Sequence, residues 1–379
     1  MLSLIGIVGA GPAGSYMFYL LAKSGFKVAL HEQYRVGERV VCGELVPKPC
    51  EIEDLVANKA PLYEVSNLIS SLDVRVCETE EMEVYLDEKF WVSFRFQGYV
   101  IDKPRLLKKL VQMGIDEGGK LFEKSRFYGL HEYKQDALKA SFSNQVESYE
   151  LLVGADGFPS SVAKAASLRS GYSMSDWALC VNQRFSNVKL DEGVVKIFFS
   201  RDLAPGGFAW LIPRGDEVVN VGLGVRMEQV KRGVNVLASL KKFLAKLREL
   251  EDSKPLTLPQ LKPIPVGGYV MNFASDKVVL IGDAAGTVVP VDGAGIIPSM
   301  LSSQAAFNSI VLRQADLKST LSNYIGSMID NGLAYRKLGE KLVYNKLGSA
   351  LVKALATPSL VEKILKAKET WALLLAKIF

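Results

Sequence analysis

Two glycine-rich turns, each entered from an apolar strand, lie at opposite ends of this 379-residue chain and constrain its fold more than anything between them. The first is Leu4-Ile5-Gly6-Ile7-Val8-Gly9-Ala10-Gly11-Pro12-Ala13-Gly14. The second is Val278-Val279-Leu280-Ile281-Gly282-Asp283-Ala284-Ala285-Gly286, followed by Pro290-Val291-Asp292-Gly293-Ala294-Gly295-Ile296. Residues 2–8 read as a buried parallel strand, 12–24 as a helix and Lys27 to His31 as a second strand, a βαβ unit opening at residue 2. Gly9, Gly11 and Gly14 sit at G-x-G-x-x-G spacing within it. The first permits a tight turn, the second a close approach of backbone to a pyrophosphate, and the third close helix–strand contact. Glu32 ends the second strand, where a ribose-binding carboxylate belongs.

In the second turn Asp283 follows four apolar residues, a costly place for a carboxylate unless it caps a helix or contacts a ligand. Gly282, Asp283 and the helix start at Gly293, Ala294, Gly295 and Ile296 present one acid and several backbone N–H groups to a single polar ligand. Two such half-sites suggest one long dinucleotide gripped from both ends, and FAD is the cofactor expected. Asp283 is then expected to meet the ribityl chain, and the helix start the pyrimidine edge of the reduced flavin.

Composition narrows the alternatives. Hydrophobic content of 49% and charged content of 23% are ordinary for a globular protein with a substantial core. A net charge of +5 suits an anionic substrate or membrane surface better than nucleic acid, which needs a clustered basic stripe. Four cysteines (Cys42, Cys50, Cys77, Cys180) without C-x-x-C pairing, and only two histidines, give poor support to zinc, Ser-His-Asp, haem or iron–sulfur chemistry, and no metal is expected. His31 and His131 fall on strand-like segments and read as structural. The apolar N-terminus lacks the basic region of a signal peptide, and no apolar run approaches the ~20 residues of a spanning helix. The expectation is a cytoplasmic protein that touches a membrane, if at all, from its inner face.

The expected fold is α/β, α+β overall. A Rossmann-like FAD-binding domain (1–71, 98–175 and 267–315) is split twice by an antiparallel-sheet substrate domain (72–97 and 176–266). A helical region, 316–379, closes the chain. Phe90, Val92, Phe94 and Phe96 alternate with Trp91, Ser93 and Arg95, the period-2 pattern of a half-buried strand. A helix is predicted over Pro104 to Glu117 with Asp102 as its cap. Strands are predicted at Val194 to Phe199, Gly207 to Pro213 and Glu217 to Val225, interrupted by a helix near 233–250.

Together, Gly-Ala-Gly-Pro-Ala-Gly at 9–14 with Glu32, Gly154-Ala155-Asp156-Gly157 and the 282–296 segment look like the p-hydroxybenzoate hydroxylase class of FAD proteins. Cys42-Gly43-Glu44, after Arg35 and Arg39, resembles the geranylgeranyl reductase family, particularly its archaeal members. So does Phe208-Ala209-Trp210-Leu211-Ile212-Pro213, although Phe208 and Ile212 stand where Tyr and Phe are usual. The similarity covers roughly residues 1–330.

The resemblance implies a reductase that saturates C=C bonds of geranylgeranyl or other isoprenoid chains, on lipids or prenyl diphosphates. It places Cys42 near the flavin, either as a thiol proton donor or positioning group tuned by Glu44, or as an inert buried cysteine. Gly43 belongs with the cofactor, and Phe208, Trp210 and Pro213 with substrate. An apolar cavity is expected, walled by aromatics such as Phe90, Phe94, Phe96, Phe198, Phe208, Trp210 and Leu211, most of which read equally well as core. Arg39, with Arg35 and Lys48, suits FAD phosphates, an anionic lipid head or simple surface charge. Lysines at 337, 341, 346, 353, 363, 366, 368 and 377 fit either membrane contact or an amphipathic helical cap. The reductant is NAD(P)H or a ferredoxin-like donor. The competing readings are an FAD monooxygenase of the same fold and an electron-transfer flavoprotein without turnover of its own.

Overall fold

The computed structural model describes residues 4–134, 137–143, 145–168, 170–310, 316–342, 357–370 and 373. A five-stranded parallel sheet organises the first layer, in the order Val278–Leu280, Leu151–Gly154, Leu4–Val8, Lys27–His31 and Lys120–Phe122. Its strands are apolar on both faces because both are covered. Ile5, Ile7, Val28 and Leu30 pack under the helices Pro12–Lys23, Lys103–Asp116 and Ile296–Ile310. Val8, Ala29, Leu152 and Val278 pack against the three-stranded meander Phe127–Lys134, Ala137–Phe142 and Val146–Tyr149. Asp102 caps the Lys103–Asp116 helix as predicted, its carboxylate accepting the Arg105 N–H at 3.0 Å.

His31 is sealed between this sheet and the meander, stacked on Phe142 at 3.7 Å and Phe122 at 4.8 Å between centroids. Its ring nitrogens meet Ser125 Oγ at 2.8 Å and Tyr149 Oη at 2.6 Å. Burial pushes its pKa down to about 4.

The second layer is a nine-stranded sheet that joins strands of both insertions to the short strand Leu45–Pro47, which pairs with Lys89–Ile101. The hairpin Arg75–Leu86 and Lys89–Ile101 forms one half, and Trp177–Ser186, Val194–Phe199, Ala209–Pro213 and Val219–Arg226 the other. All pairings are antiparallel except the join between the halves, where Val194–Phe199 runs parallel to Arg75–Leu86. That exception is topological: the chain passes through the parallel layer before it returns, so the two strands need no hairpin.

Alternation along the strands divides the second sheet's faces. Ala209, Leu211, Val221 and Phe198 lie beneath the helix Val236–Leu244, in contact with Leu240 and Phe243. Phe94, Phe96, Trp210 and Ile212 lie on the opposite face. The helices Lys59–Ser71, Ile296–Ile310 and Leu317–Leu342 share a third core, and Pro358–Leu365 lies against the Lys89–Ile101 strand. Among the described residues no helix is long and apolar enough to cross a membrane.

Candidate active site

A cavity of about 400 Å³ opens between the two layers, with both glycine-rich turns on its wall. At the first turn Gly9 has φ +99°, and a Cβ there would stand 2.5 Å from the Ala155 carbonyl oxygen. A Cβ at Gly14 would lie 1.9 Å from the Gly9 carbonyl, so helix and strand meet backbone to backbone. Gly11 differs, because no heavy atom lies within 4 Å of the space its Cβ would take. Gly11, Pro12 and Ala13 line the cavity there. Lys103 lines it too; the residue is 8% exposed, and its ammonium has no hydrogen-bond partner among the described residues. A helix N-terminus, an open approach at Gly11 and a buried cation together fit a pyrophosphate, so these residues suit FAD.

Three expected cofactor residues make the following contacts within the protein. Glu32 accepts the Ala10 N–H at 2.8 Å and the Tyr34 N–H at 3.0 Å, tying the glycine turn to the second strand. Asp156 caps a short helix, its carboxylate meeting Ser160 Oγ and the Ser161 N–H at 2.6 Å and the Val162 N–H at 3.1 Å. Its neighbours Ala155 and Gly157 line the cavity. Arg39 is exposed and packs over the Tyr34 ring, donating to its hydroxyl at 2.7 Å.

At the second turn Asp283 and the residues Gly293–Ile296 line the cavity. The Asp283 carboxylate is 2.8 Å from the ammonium of Lys262 on the strand Gln260–Pro265. Opposing burial, the lysine holds the Asp283 carboxyl below its usual range. Asp292 lines the same turn, and burial without a paired cation raises it to about 7.

Cys42, Gly43 and Glu44 cross between the layers. The Cys42 carbonyl accepts Nδ2 of Asn220 at 2.7 Å and Nδ2 of Asn182 at 3.2 Å. Asn220 Oδ1 accepts the Trp210 indole N–H at 3.1 Å, so the aromatic wall and the cysteine loop share one hydrogen-bonded chain. Glu44 adopts φ +64° with a fully buried carboxylate. Arg184 donates to it at 2.6 Å, Arg214 at short range, and the Lys103 N–H at 3.0 Å. The carboxylate faces these arginines, while the Glu44 N–H points to Cys42 Sγ at 3.3 Å.

The substrate-side expectations divide along the strand. Phe208 and Trp210 line the cavity in T-shaped contact at 6.1 Å, with Phe94, Phe96 and Ile212 beside them. Pro213 is buried at the strand end, away from the cavity. Three expected wall residues lie elsewhere: Phe90 is 58% exposed at the hairpin end, and Leu211 and Phe198 face the covering helix. Period 2 separates two faces without saying which meets the ligand. Lys346, Lys353 and Lys377 fall outside the described residues. Lys366 is buried, 2.5 Å from Glu51 and 2.7 Å from Glu362.

Sequence reasoning missed Lys262, Asn182, Asn220, Arg184, Arg214 and Lys103. A signal existed for some of them: Asn220 in Val218-Val219-Asn220-Val221 and Lys262 among prolines and aliphatics are polar residues in apolar strands, which need a partner.

A family model described as the geranylgeranyl reductase catalytic domain matches residues 176–259. A digeranylgeranylglycerophospholipid reductase of Methanocaldococcus jannaschii is 30% identical over 353 residues, covering 89% of this chain and 86% of that protein. Its counterpart in Methanococcus vannielii is 29% identical over 299 residues, covering 78% and 73%. Among solved structures, a geranylgeranyl bacteriochlorophyll reductase-like protein of Thermoplasma acidophilum superposes with a TM-score of 0.79 at 20% identity, covering 99% and 96% of the two chains. A flavin-dependent brominase gives 0.72 at 14% identity, covering 100% and 98%. At these identities the structural likenesses speak to the fold.

Proposed function

This chain belongs to the geranylgeranyl reductase family, and from that premise we propose that it saturates double bonds in the geranylgeranyl chains of a glycerophospholipid. It is an FAD-dependent oxidoreductase. The observation that carries the substrate reading is the continuity of one cavity from the glycine turns to the aromatic face of Phe94, Phe96, Phe208 and Trp210. An isolated alkene lacks an electron sink, so reduction needs a dry, apolar enclosure in which hydride and proton arrive together. When bound and reduced, FAD supplies the hydride.

The protein's own residues bind and orient. We assign the pyrophosphate to the Gly9–Gly14 turn with Lys103, and the flavin end to Asp283 and the Gly293–Ile296 helix start. Cys42 and Gly43 form the wall at the reacting end, held by Asn182 and Asn220, and the buried Glu44 pairs fix that loop. On this reading 1–71, 98–175 and 267–315 form the cofactor domain, and 72–97 with 176–266 the substrate domain. The lipid chain enters beside Pro358–Leu365, where Ile364 and Leu365 line the cavity and the exposed Lys363 suits an anionic membrane surface.

The test is anaerobic. Protein carrying dithionite-reduced flavin is mixed with a digeranylgeranylglycerol phospholipid while flavin absorbance and product mass are followed. Reoxidation with mass gains in steps of two hydrogens is the expected result. Flavin that stays reduced until oxygen is admitted would shift the assignment to a monooxygenase. A geranylgeranyl diphosphate run in parallel separates the two lipid classes.

A further inference from the structure

We propose that Asp292 is the acid that protonates the substrate double bond. The inference rests on the reductase reading and deepens it by naming the proton donor. Asp292 lies in the turn between Pro290 and the Ile296–Ile310 helix, and it lines the same cavity as Cys42 and Trp210. Its Oδ1 accepts the Ala294 N–H at 2.9 Å. Its Oδ2 makes no hydrogen bond or ion pair among the described residues, so that oxygen can carry a proton without breaking a contact.

The surroundings are what distinguish this carboxyl. Val291 and Ile364 both pack against the cluster of Ala334, Tyr335 and Leu373, so the helices Leu317–Leu342 and Pro358–Leu365 both approach the turn. They bring Tyr335, Arg336, Glu340 and Lys366 to the cavity wall, where Cys42, Glu44, Glu51, Lys103, Cys180, Arg226, Lys262 and Asp283 are the other titratable groups. Most cations on this wall have another anion: Lys262 has Asp283 at 2.8 Å, Arg336 has Asp176 at 3.1 Å, Arg226 has Glu340 at 3.2 Å, and Lys366 has Glu51 and Glu362, while Lys103 acts on Asp283 and not on Asp292. Asp292 is therefore desolvated with no counter-charge, which raises its pKa to about 7. Asp283, desolvated on the same wall, is held down by Lys262. Two carboxyls whose environments separate their titrations mark an assignment of roles: Asp283 stays ionised and binds, while Asp292 keeps a proton near neutral pH.

The step balances as follows. The Asp292 proton goes to the less substituted alkene carbon, and hydride from bound, anionic reduced FAD goes to the more substituted one. One π bond breaks and two C–H bonds form. The alkene gains two electrons, the flavin loses two, and the Asp292 carboxylate recovers its proton from water. Cys42, with its carbonyl fixed by two asparagines, shapes the wall beside this transfer.

The experiment compares wild type with Asp292→Asn, Asp292→Glu and Cys42→Ala in the anaerobic reoxidation assay between pH 5.5 and 8.5. For Asp292→Asn we expect a loss of about 100-fold or more in reoxidation rate, with FAD affinity within threefold of wild type. Asp292→Glu retains a pH-dependent rate. The wild-type rate is flat at low pH and falls about tenfold per unit as pH rises through about 7. Infrared difference titration of the protein without substrate gives an independent readout: a protonated carboxyl band disappears near the same pH and is missing in Asp292→Asn. If the asparagine variant does not fold, the displaced pH break of Asp292→Glu and the infrared titration of wild type decide. An Asp292→Asn rate equal to wild type, or a pH break abolished by Cys42→Ala and retained in Asp292→Asn, would overturn the proposal. Wild type that is not reoxidised by the lipid at any pH would instead overturn the reductase reading itself.

Discussion

The Lys262 ammonium stands 2.8 Å from the Asp283 carboxylate, and this ion pair ties the antiparallel layer to the second glycine-rich turn. Neither residue is near the other in sequence, and both face the cavity. The pair does two things at once: it favours the ionised form of Asp283, and it bridges the layers on the wall of the cavity.

Lys262→Met is accordingly expected to destabilise the protein by about 2 kcal/mol at pH 7, below the 3–5 kcal/mol of a fully enclosed pair because about a third of the lysine side chain is open to the cavity. The sign with pH follows from the depressed Asp283 pKa. Its contribution is present above the unfolded value of 3.8 and is lost as pH falls through the folded one. In the variant the carboxyl titrates upward and this acid-dependent contribution disappears, so the deficit relative to wild type is greatest at pH 7 and shrinks as pH falls. Urea midpoints measured from pH 3 to 7 check both statements; a deficit that stays constant with pH would refute them.

Asn220→Ala removes the bond to the Cys42 carbonyl and leaves the Trp210 indole N–H without its acceptor. A loss of about 2 kcal/mol is expected, together with freer motion of the cysteine loop. Urea unfolding gives the first, and the rate of Cys42 alkylation, faster in the variant, gives the second.

Glu44→Gln leaves Arg214 buried without its anion. Removing one partner of such a pair costs about 3–5 kcal/mol. The double variant Glu44→Gln with Arg214→Met is expected to recover part of that loss, since it removes the orphaned charge. A double-mutant cycle in urea measures the coupling, and strictly additive losses would argue against a shared site.

The buried His31 sets a stability limit on the acid side. Its pKa is about 4 in the folded protein against 6.5 in the open chain, so below pH 6.5 the unfolded state takes up the proton first. Stability from this residue is complete above about 6.5 and falls as pH drops toward 4, by about 3 kcal/mol in all. His31→Gln should flatten that slope while lowering the plateau. Thermal midpoints of both proteins across pH 4 to 7.5 decide it.

Much of the cofactor cleft was legible because its signals are local. The Leu4–His31 unit and the Lys103–Asp116 helix are written in short-range glycine spacing, apolar runs and a capping Asp102. The substrate face was only half legible. Alternation separated Trp210 from Leu211 without revealing which met the cavity, because that depends on where Val236–Leu244 packs. The partners of Glu44 and Asp283 were illegible for a further reason: Arg184, Arg214 and Lys262 are brought to them only by sheet register.

The parallel seam between Arg75–Leu86 and Val194–Phe199 has a consequence for biogenesis. During synthesis the hairpin of the first insertion emerges with its Arg75–Leu86 edge unsatisfied, and the strand that covers it is made more than a hundred residues later. Until then the growing chain exposes an unpaired β-edge carrying Met82 and Val84. The ribosome-bound intermediate, rather than the finished enzyme, is the species most exposed to self-association, and slowing translation between the two insertions would prolong that exposure.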